Sequence, residues 1–121
     1  MVYSIDAAIE KADIVIIALP ATEATRGLIG TQQLQRMQNK LLVNIGRGSI
    51  VDEAALYEAL KTGTLGGAAI DCWYTYPKEG VMGAPSEFPV HEMENVILSP
   101  HIGGFTRQAA RKGIEQACEN L

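Results

Sequence analysis

The chain has 121 residues, 47% apolar and 20% charged, with ten basic against fourteen acidic side chains for a net charge of −4. This is one domain's length of ordinary globular composition, which excludes a disordered, collagen-like or coiled-coil chain. The acidic balance offers no electrostatic footprint for nucleic acid or an anionic membrane, so neither is expected as a partner.

In chain order, Ser4 is placed to cap a short helix through Ala12, with Asp6 in the first turn where the helix dipole favours a negative charge. Asp13 to Leu19 is continuous and β-branched rather than alternating, as a parallel strand covered on both faces requires, and Pro20 stops it. Thr22 to Ile29 reads as a turn or a one-turn helix, and Thr31 as the cap of a second short helix turning Leu34 and Met37 inward. Lys40 to Ile45 is a second strand. After the Gly46-Arg47-Gly48 loop, Asp52 caps a helix with Ala55, Leu56, Ala59 and Leu60 at core spacing, ended by Gly63. Gly66 to Asp71 is a small-residue third strand, and a polar loop with Pro and Gly runs from Trp73 to about Glu94. Asn95 to Ser99 is the fourth strand, and after Pro100-His101-Ile102-Gly103-Gly104, Thr106 caps a helix to the end.

Repeated strand-helix-strand order predicts an α/β fold with a parallel sheet, whose ligands sit beyond the carboxyl ends of the strands. Four places therefore matter: after Leu19, after Ile45, after Asp71 and after Ser99. No repeat, linker or low-complexity stretch divides the chain, so residues 1–121 read as one unit. The longest apolar run, Ile14 to Pro20, is too short to cross a bilayer, and the N-terminus lacks a signal-peptide pattern, so a cytoplasmic protein is expected. Cys72 and Cys118 stand far apart with no CxxC or Cys/His cluster, so no metal site is signalled and both are expected as reduced thiols.

Several residues at those four places have two readings. Gly46-Arg47-Gly48 follows a strand, with Asp71 further on, as in a dinucleotide fingerprint; the third glycine position is Val51, however, and the helix starts near Glu53, too late to hold a phosphate. Arg47 fits either a carboxylate clamp, its planar fork pointing into a crevice, or a surface arginine in an adaptable turn. His101, at a strand's end beside Gly103 and Gly104, suits proton transfer or a structural role; His91 lies in the polar loop as a solvated residue. Asp71 accepts from a ligand amide or caps the next loop. Thr22 and Thr25 hold a ribose or phosphate, or cap the turn after Pro20. Trp73, Tyr74 and Tyr76 read equally as a core satellite, a substrate wall or a subunit contact.

Taken together and in order, Ala12 to Pro20 with Thr22 and Thr25, Leu42 to Asp52 with Ala55-Leu56, Gly67 to Asp71, and Ser99 to Gly104 resemble the D-isomer-specific 2-hydroxyacid dehydrogenases, over nearly the whole chain. The resemblance implies a partial doubly wound, Rossmann-like parallel sheet in a three-layer α/β/α arrangement, forming the second half of an NAD(P)-binding domain. The family's glycine-rich fingerprint half and substrate domain are then absent from the 121 residues. It implies NAD as cofactor, with NADP not distinguished, and hydride transfer between the nicotinamide and a small 2-hydroxy or 2-oxo acid. Arg47 would bind the substrate carboxylate and His101 would exchange the proton; Asp71 would hold the nicotinamide carboxamide. Pro20, Thr25, the backbone of Ile45, Gly46 and Arg47, and His101, Gly103 and Gly104 would line the cofactor.

One departure bears on catalysis. The family's third-strand segment runs on to Glu-Pro, the glutamate pairing with the catalytic histidine; here the residue before Pro77 is Tyr76, which can hydrogen-bond imidazole but, being neutral, cannot stabilise imidazolium by charge, and Glu79 and Glu87 are the acidic residues that could reach back. The first strand, Ile14 to Leu19, is expected as an apolar unpaired edge, covered by more chain or by self-association, so a homodimer is expected. The isolated chain is expected to be inactive. The alternative reading is a non-catalytic nucleotide-sensing or interaction module derived from the same family.

Overall fold

The computed structural model describes residues 4–78 and 83–119. In chain order it contains helix α1 (Ile5–Lys11), strand β1 (Ile14–Ile17), α2 (Thr31–Gln35), β2 (Leu41–Asn44), α3 (Glu53–Lys61), β3 (Gly67–Ile70), β4 (Val96–Leu98) and α4 (Arg107–Glu119). Single turns of 3-10 helix lie at Gly48–Ile50 and Val90–Glu92, the latter inside the long polar loop and carrying the exposed His91.

The caps expected from the sequence are in place. The Ser4 hydroxyl accepts from Ala7 N at 3.2 Å, Asp52 Oδ1 from Ala55 N at 2.8 Å, and the Thr106 hydroxyl from Ala109 N at 3.0 Å. Each satisfies an N–H that the first helical turn leaves without a partner. Gly63 follows α3 at φ 72°, the left-handed conformation that glycine adopts without steric cost. The start of α2 differs by one residue from the expectation: the extended Gly30 is the cap, Thr31 is already helical, and the Gln33 side chain reaches back to accept from Gly30 N.

The four strands are all parallel in the order β1-β2-β3-β4, as the strand-helix-strand reading requires. The register aligns Val15 with Leu42, Ala68 and Val96, and Ile17 with Asn44, Ile70 and Leu98. Those rows face a core made with Ile9 of α1, Leu34 of α2, and Leu56, Ala59 and Leu60 of α3, closed by Met37, Ile50, Val51 and Leu65. Successive strand residues point to opposite faces, so the intervening rows turn away from this core. Ile14 pairs with Leu41, and Ile16 aligns with Val43, Ala69 and Ile97.

That second face is exposed among the described residues, Ile16 to 63% and Ile97 to 74%. The three-layer arrangement is therefore displayed as far as its sheet and one helical layer, because the connections through α2 and α3 both return over the same face. The first strand stands at the sheet's edge, as expected, with Ile14 exposed. Its paired part ends at Ile17, so Ala18 and Leu19, expected in the strand, run on into the loop.

Candidate active site

The ladder fixes where the functional loops begin. Ile45 N donates to Ile17 O at 3.0 Å, Asp71 N to Asn44 O at 3.1 Å and Ser99 N to Ile70 O at 3.0 Å, so the chain leaves all four strands along one crest, at their carboxyl ends. In open parallel α/β sheets this is the edge at which ligands bind. Leu19, Pro20 and Ala21 face Ile45, Gly46 and Arg47 across an open cleft of about 480 Å³ on this crest.

The Gly46-Arg47-Gly48 loop is shaped by close backbone approach. A Cβ on Gly46 would stand 2.7 Å from Leu19 O, and one on Gly48 2.5 Å from Trp73 O, both far inside contact distance. Only hydrogen fits at either place, and the loop is thereby wedged between the exits of β1 and β3. Asn44, buried at 3% exposure, braces it from below: its Oδ1 accepts from Gly46 N and its Nδ2 donates to Arg47 O, both at 3.1 Å. Asn44 escaped the sequence reading because it sits inside a strand; the signal was a polar residue in an otherwise apolar run.

Arg47 itself is exposed and extended, and among the described residues one of its guanidinium N–H groups is engaged, Nη1 donating to Gly46 O at 2.7 Å. A guanidinium carries five, so a planar donor fork remains for a ligand carboxylate. Cys72, next along from Asp71, is buried with its Sγ 3.4 Å from Asn44 O. Burial pushes its thiol up to about 11, the Asp71 charge adds to that, and the Arg47 charge opposes it. Arg47 and Asp71 thus act electrostatically on one buried atom from neighbouring loops.

Asp71 is the anchor of the histidine turn. One oxygen accepts from the Ser99 hydroxyl and from Ile102 N at 3.0 Å, and the other from Gly103 N at 3.0 Å. These bonds, the Ser99 bond foremost, hold its carboxyl below the usual carboxylate range, with the nearby His101 adding to the effect. A carboxylate offers about four lone-pair sites, so about one remains for a ligand amide. The loop that Asp71 holds is the one after β4 and not, as the sequence suggested, the one that follows Asp71 in the chain.

His101 lies in the left-handed region at φ 59°, a conformation costing a non-glycine residue roughly 1 kcal/mol. The bonds to Asp71 on its C-terminal side hold it there. Its Nδ1 lies 2.6 Å from Tyr76 Oη, and that same oxygen accepts from Trp73 N at 3.0 Å. Nε2 is therefore the nitrogen left for a ligand.

The aromatic loop divides its labour. Trp73 packs against the core and its Nε1 donates to Ser99 O at 2.9 Å, whereas Tyr76 joins the site. Tyr74 is partly buried, and that burial raises its hydroxyl pKa, reinforced by Glu53. Glu87 is tied by its N–H to Glu53 Oε1 at 2.8 Å, and Tyr76 is the described side chain bonded to His101; Glu79 lies outside the described residues. The Thr25 hydroxyl donates to Pro20 O at 2.7 Å and accepts from Thr22 N at 2.8 Å, so it holds the turn above the cleft. Gly104 has open space where a Cβ would project, whereas at Gly103 a Cβ would meet Asp71 Oδ2 at 2.8 Å.

Residues 1–103 match the family model of the D-isomer specific 2-hydroxyacid dehydrogenase NAD-binding domain, and the chain belongs to that family. A glyoxylate reductase from Korarchaeum cryptofilum is 38% identical over 114 residues, 93% of this chain and 32% of its own. A solved protein from Pyrococcus horikoshii superposes with a TM-score of 0.80 at 38% identity, covering 98% of this chain and 34% of that one. A D-lactate dehydrogenase from Lactobacillus jensenii, solved with NAD+, gives 0.77 at 30% identity, covering 93% and 36%. The chain spans about a third of the length of these relatives.

Proposed function

We propose that this chain supplies the substrate- and nicotinamide-facing part of an NAD(P)-dependent 2-hydroxyacid dehydrogenase. The observation that carries the reading is the convergence, on one crest, of an arginine fork with free donors and an imidazole held in a left-handed turn. The residues present suit a flat, dipolar ring: exposed Leu19 and Ile45 offer apolar contact, Gly104 leaves open space, and Asp71 keeps one acceptor site for a carboxamide.

The bound nicotinamide supplies or takes up the hydride at its C4. Arg47 holds the substrate carboxylate through its remaining N–H groups, which fixes the 2-carbon relative to the crest. In reduction His101, charged, gives a proton from Nε2 to the 2-oxo oxygen as the carbon receives hydride; in oxidation neutral Nε2 takes the hydroxyl proton. Pro20, Thr25, Ile45, Gly46, Gly103 and Gly104 act by backbone shape, bounding the cofactor's place. The partner is a small 2-oxo or 2-hydroxy acid, and the setting a cytoplasmic homodimer. The 121 residues contain no G-x-G-x-x-G segment for a pyrophosphate, and on their own they do not turn over.

A second reading, a nucleotide-sensing or interaction module without turnover, is favoured by one observation: the partner of His101 is the neutral Tyr76. The two are separated by grafting residues 1–121 into the K. cryptofilum glyoxylate reductase in place of the matching segment. The dehydrogenase reading expects NAD(P)H oxidation with glyoxylate or a larger 2-oxo acid; a graft that binds NAD(P)H and turns over none of them supports the module.

A further inference from the structure

Three groups form a directed chain of hydrogen bonds beside the candidate acid/base. Trp73 N can only donate, and it donates to Tyr76 Oη at 3.0 Å. That leaves the hydroxyl its own O–H to donate, and His101 Nδ1 lies 2.6 Å away, where it can receive it. An imidazole nitrogen that accepts carries no proton, so the proton of neutral His101 is on Nε2. The rings are held 5.4 Å apart at 49°, an arrangement that keeps the phenol beside Nδ1.

We propose that Tyr76 is a positioning residue that holds His101 in the neutral Nε2–H tautomer, a resting form unsuited to either direction of proton transfer, through the Trp73 N–H to Tyr76 O–H to His101 Nδ1 chain. This rests on the acid/base reading of His101. To accept a substrate proton, Nε2 must be bare, which places the imidazole proton on Nδ1. To give one without leaving an imidazolate, the ring must carry protons on both nitrogens. Both working forms have Nδ1–H, and both require the Tyr76 hydroxyl to turn and accept from it while still accepting from Trp73. Tyr76 thereby damps turnover, and a residue that accepts without donating releases it.

The test reads the tautomer directly, by two-bond proton–nitrogen correlation spectra of the 15N-labelled 121-residue chain near neutral pH. Exposed His91, the other histidine in the chain, is the internal reference. His101 is expected with Nδ1 bare and hydrogen-bonded, and Nε2 protonated. Tyr76→Phe, which keeps the ring and removes the O–H, is expected to shift His101 to the solvent-averaged pattern of His91; Tyr76→Glu is expected to place a proton on Nδ1. In the grafted enzyme Tyr76→Glu is expected to raise kcat at least threefold with little change in KM. A protonated Nδ1 in the unsubstituted chain, or a His101 pattern that Tyr76→Phe leaves unchanged, overturns the proposal. Because the spectra need no turnover, an inactive graft with the expected spectra counts against the dehydrogenase reading alone.

Discussion

Asp71, at the end of β3, accepts the Gly103 backbone N–H at 3.0 Å and so ties the exit of one strand to the turn that carries His101 beyond the next. Its carboxyl is held below the usual range, so the unfolded chain takes up the Asp71 proton first as pH falls. The stability this group contributes is present above the ordinary carboxylate range and is lost as the pH falls through it towards the lower folded value. Asp71→Asn replaces one acceptor with an NH₂ facing donors and costs about 1–2 kcal/mol near neutrality. Urea midpoints measured against pH should fall on the acid side for the parent chain and follow a flatter course in Asp71→Asn.

The glycines of the crest are not equivalent. Gly48→Ala drives a Cβ to 2.5 Å from Trp73 O, where both partners are backbone and neither yields easily, whereas Gly104→Ala projects into open space. Urea denaturation should show Gly48→Ala less stable by about 2 kcal/mol or more, in the range of overpacked sites. Gly104→Ala should stay within about 0.5 kcal/mol, as for ordinary surface changes.

Cys72 is buried and its thiol is pushed up to about 11, chiefly by desolvation with the Asp71 charge adding; Cys118 is exposed on α4. The thiolate is the reactive form. Alkylation of the folded chain at about pH 8 should label Cys118 and leave Cys72 unmodified until denaturant is added, a pattern that peptide mass spectrometry reads directly.

Much of this was legible in the sequence because it is local. Asp52 and Thr106 announce helix starts by residue type, Gly63 a helix end, and the β-branched run at Ile14 a strand, although it was expected covered on both faces and Ile14 and Ile16 are exposed on one. The four exits were placed to within two residues, because parallel pairing follows from strand-helix-strand alternation. What escaped the reading depends on how side chains fold back onto backbone or reach across the crest. Asn44 is functional only because Gly46 N and Arg47 O fold back over it. The Thr25 hydroxyl, by contrast, caps the turn after Pro20 as one of its two readings had it, donating to Pro20 O. Which of Tyr76, Glu79 and Glu87 meets His101 was left open by the sequence, since Tyr76 reaches it across 25 residues. Nothing in the periodicity separated the two faces of the sheet, because Ile14 to Ile17 is apolar on both.

That exposed face has a consequence for the chain in solution. Ile14, Ile16 and Leu41 beside the edge strand β1, and Ile97 on β4, present exposed apolar side chains on one face of the sheet, and among the described residues β1 pairs on one side alone. Such surfaces drive association. Light scattering across a dilution series should show concentration-dependent self-association, and the double change Ile16→Lys with Ile97→Lys should reduce it without lowering the melting temperature of the monomer.

The most direct measurement of the central claim is a single-turnover assay of the grafted enzyme, following NADH oxidation by glyoxylate in the parent graft and in His101→Asn. With the acid/base at Nε2 removed, the rate of the chemical step at saturating NADH should fall by about 100-fold or more, matching the usual contribution of a positioned proton donor. A His101→Asn graft that reduces glyoxylate at the parent rate would contradict the account.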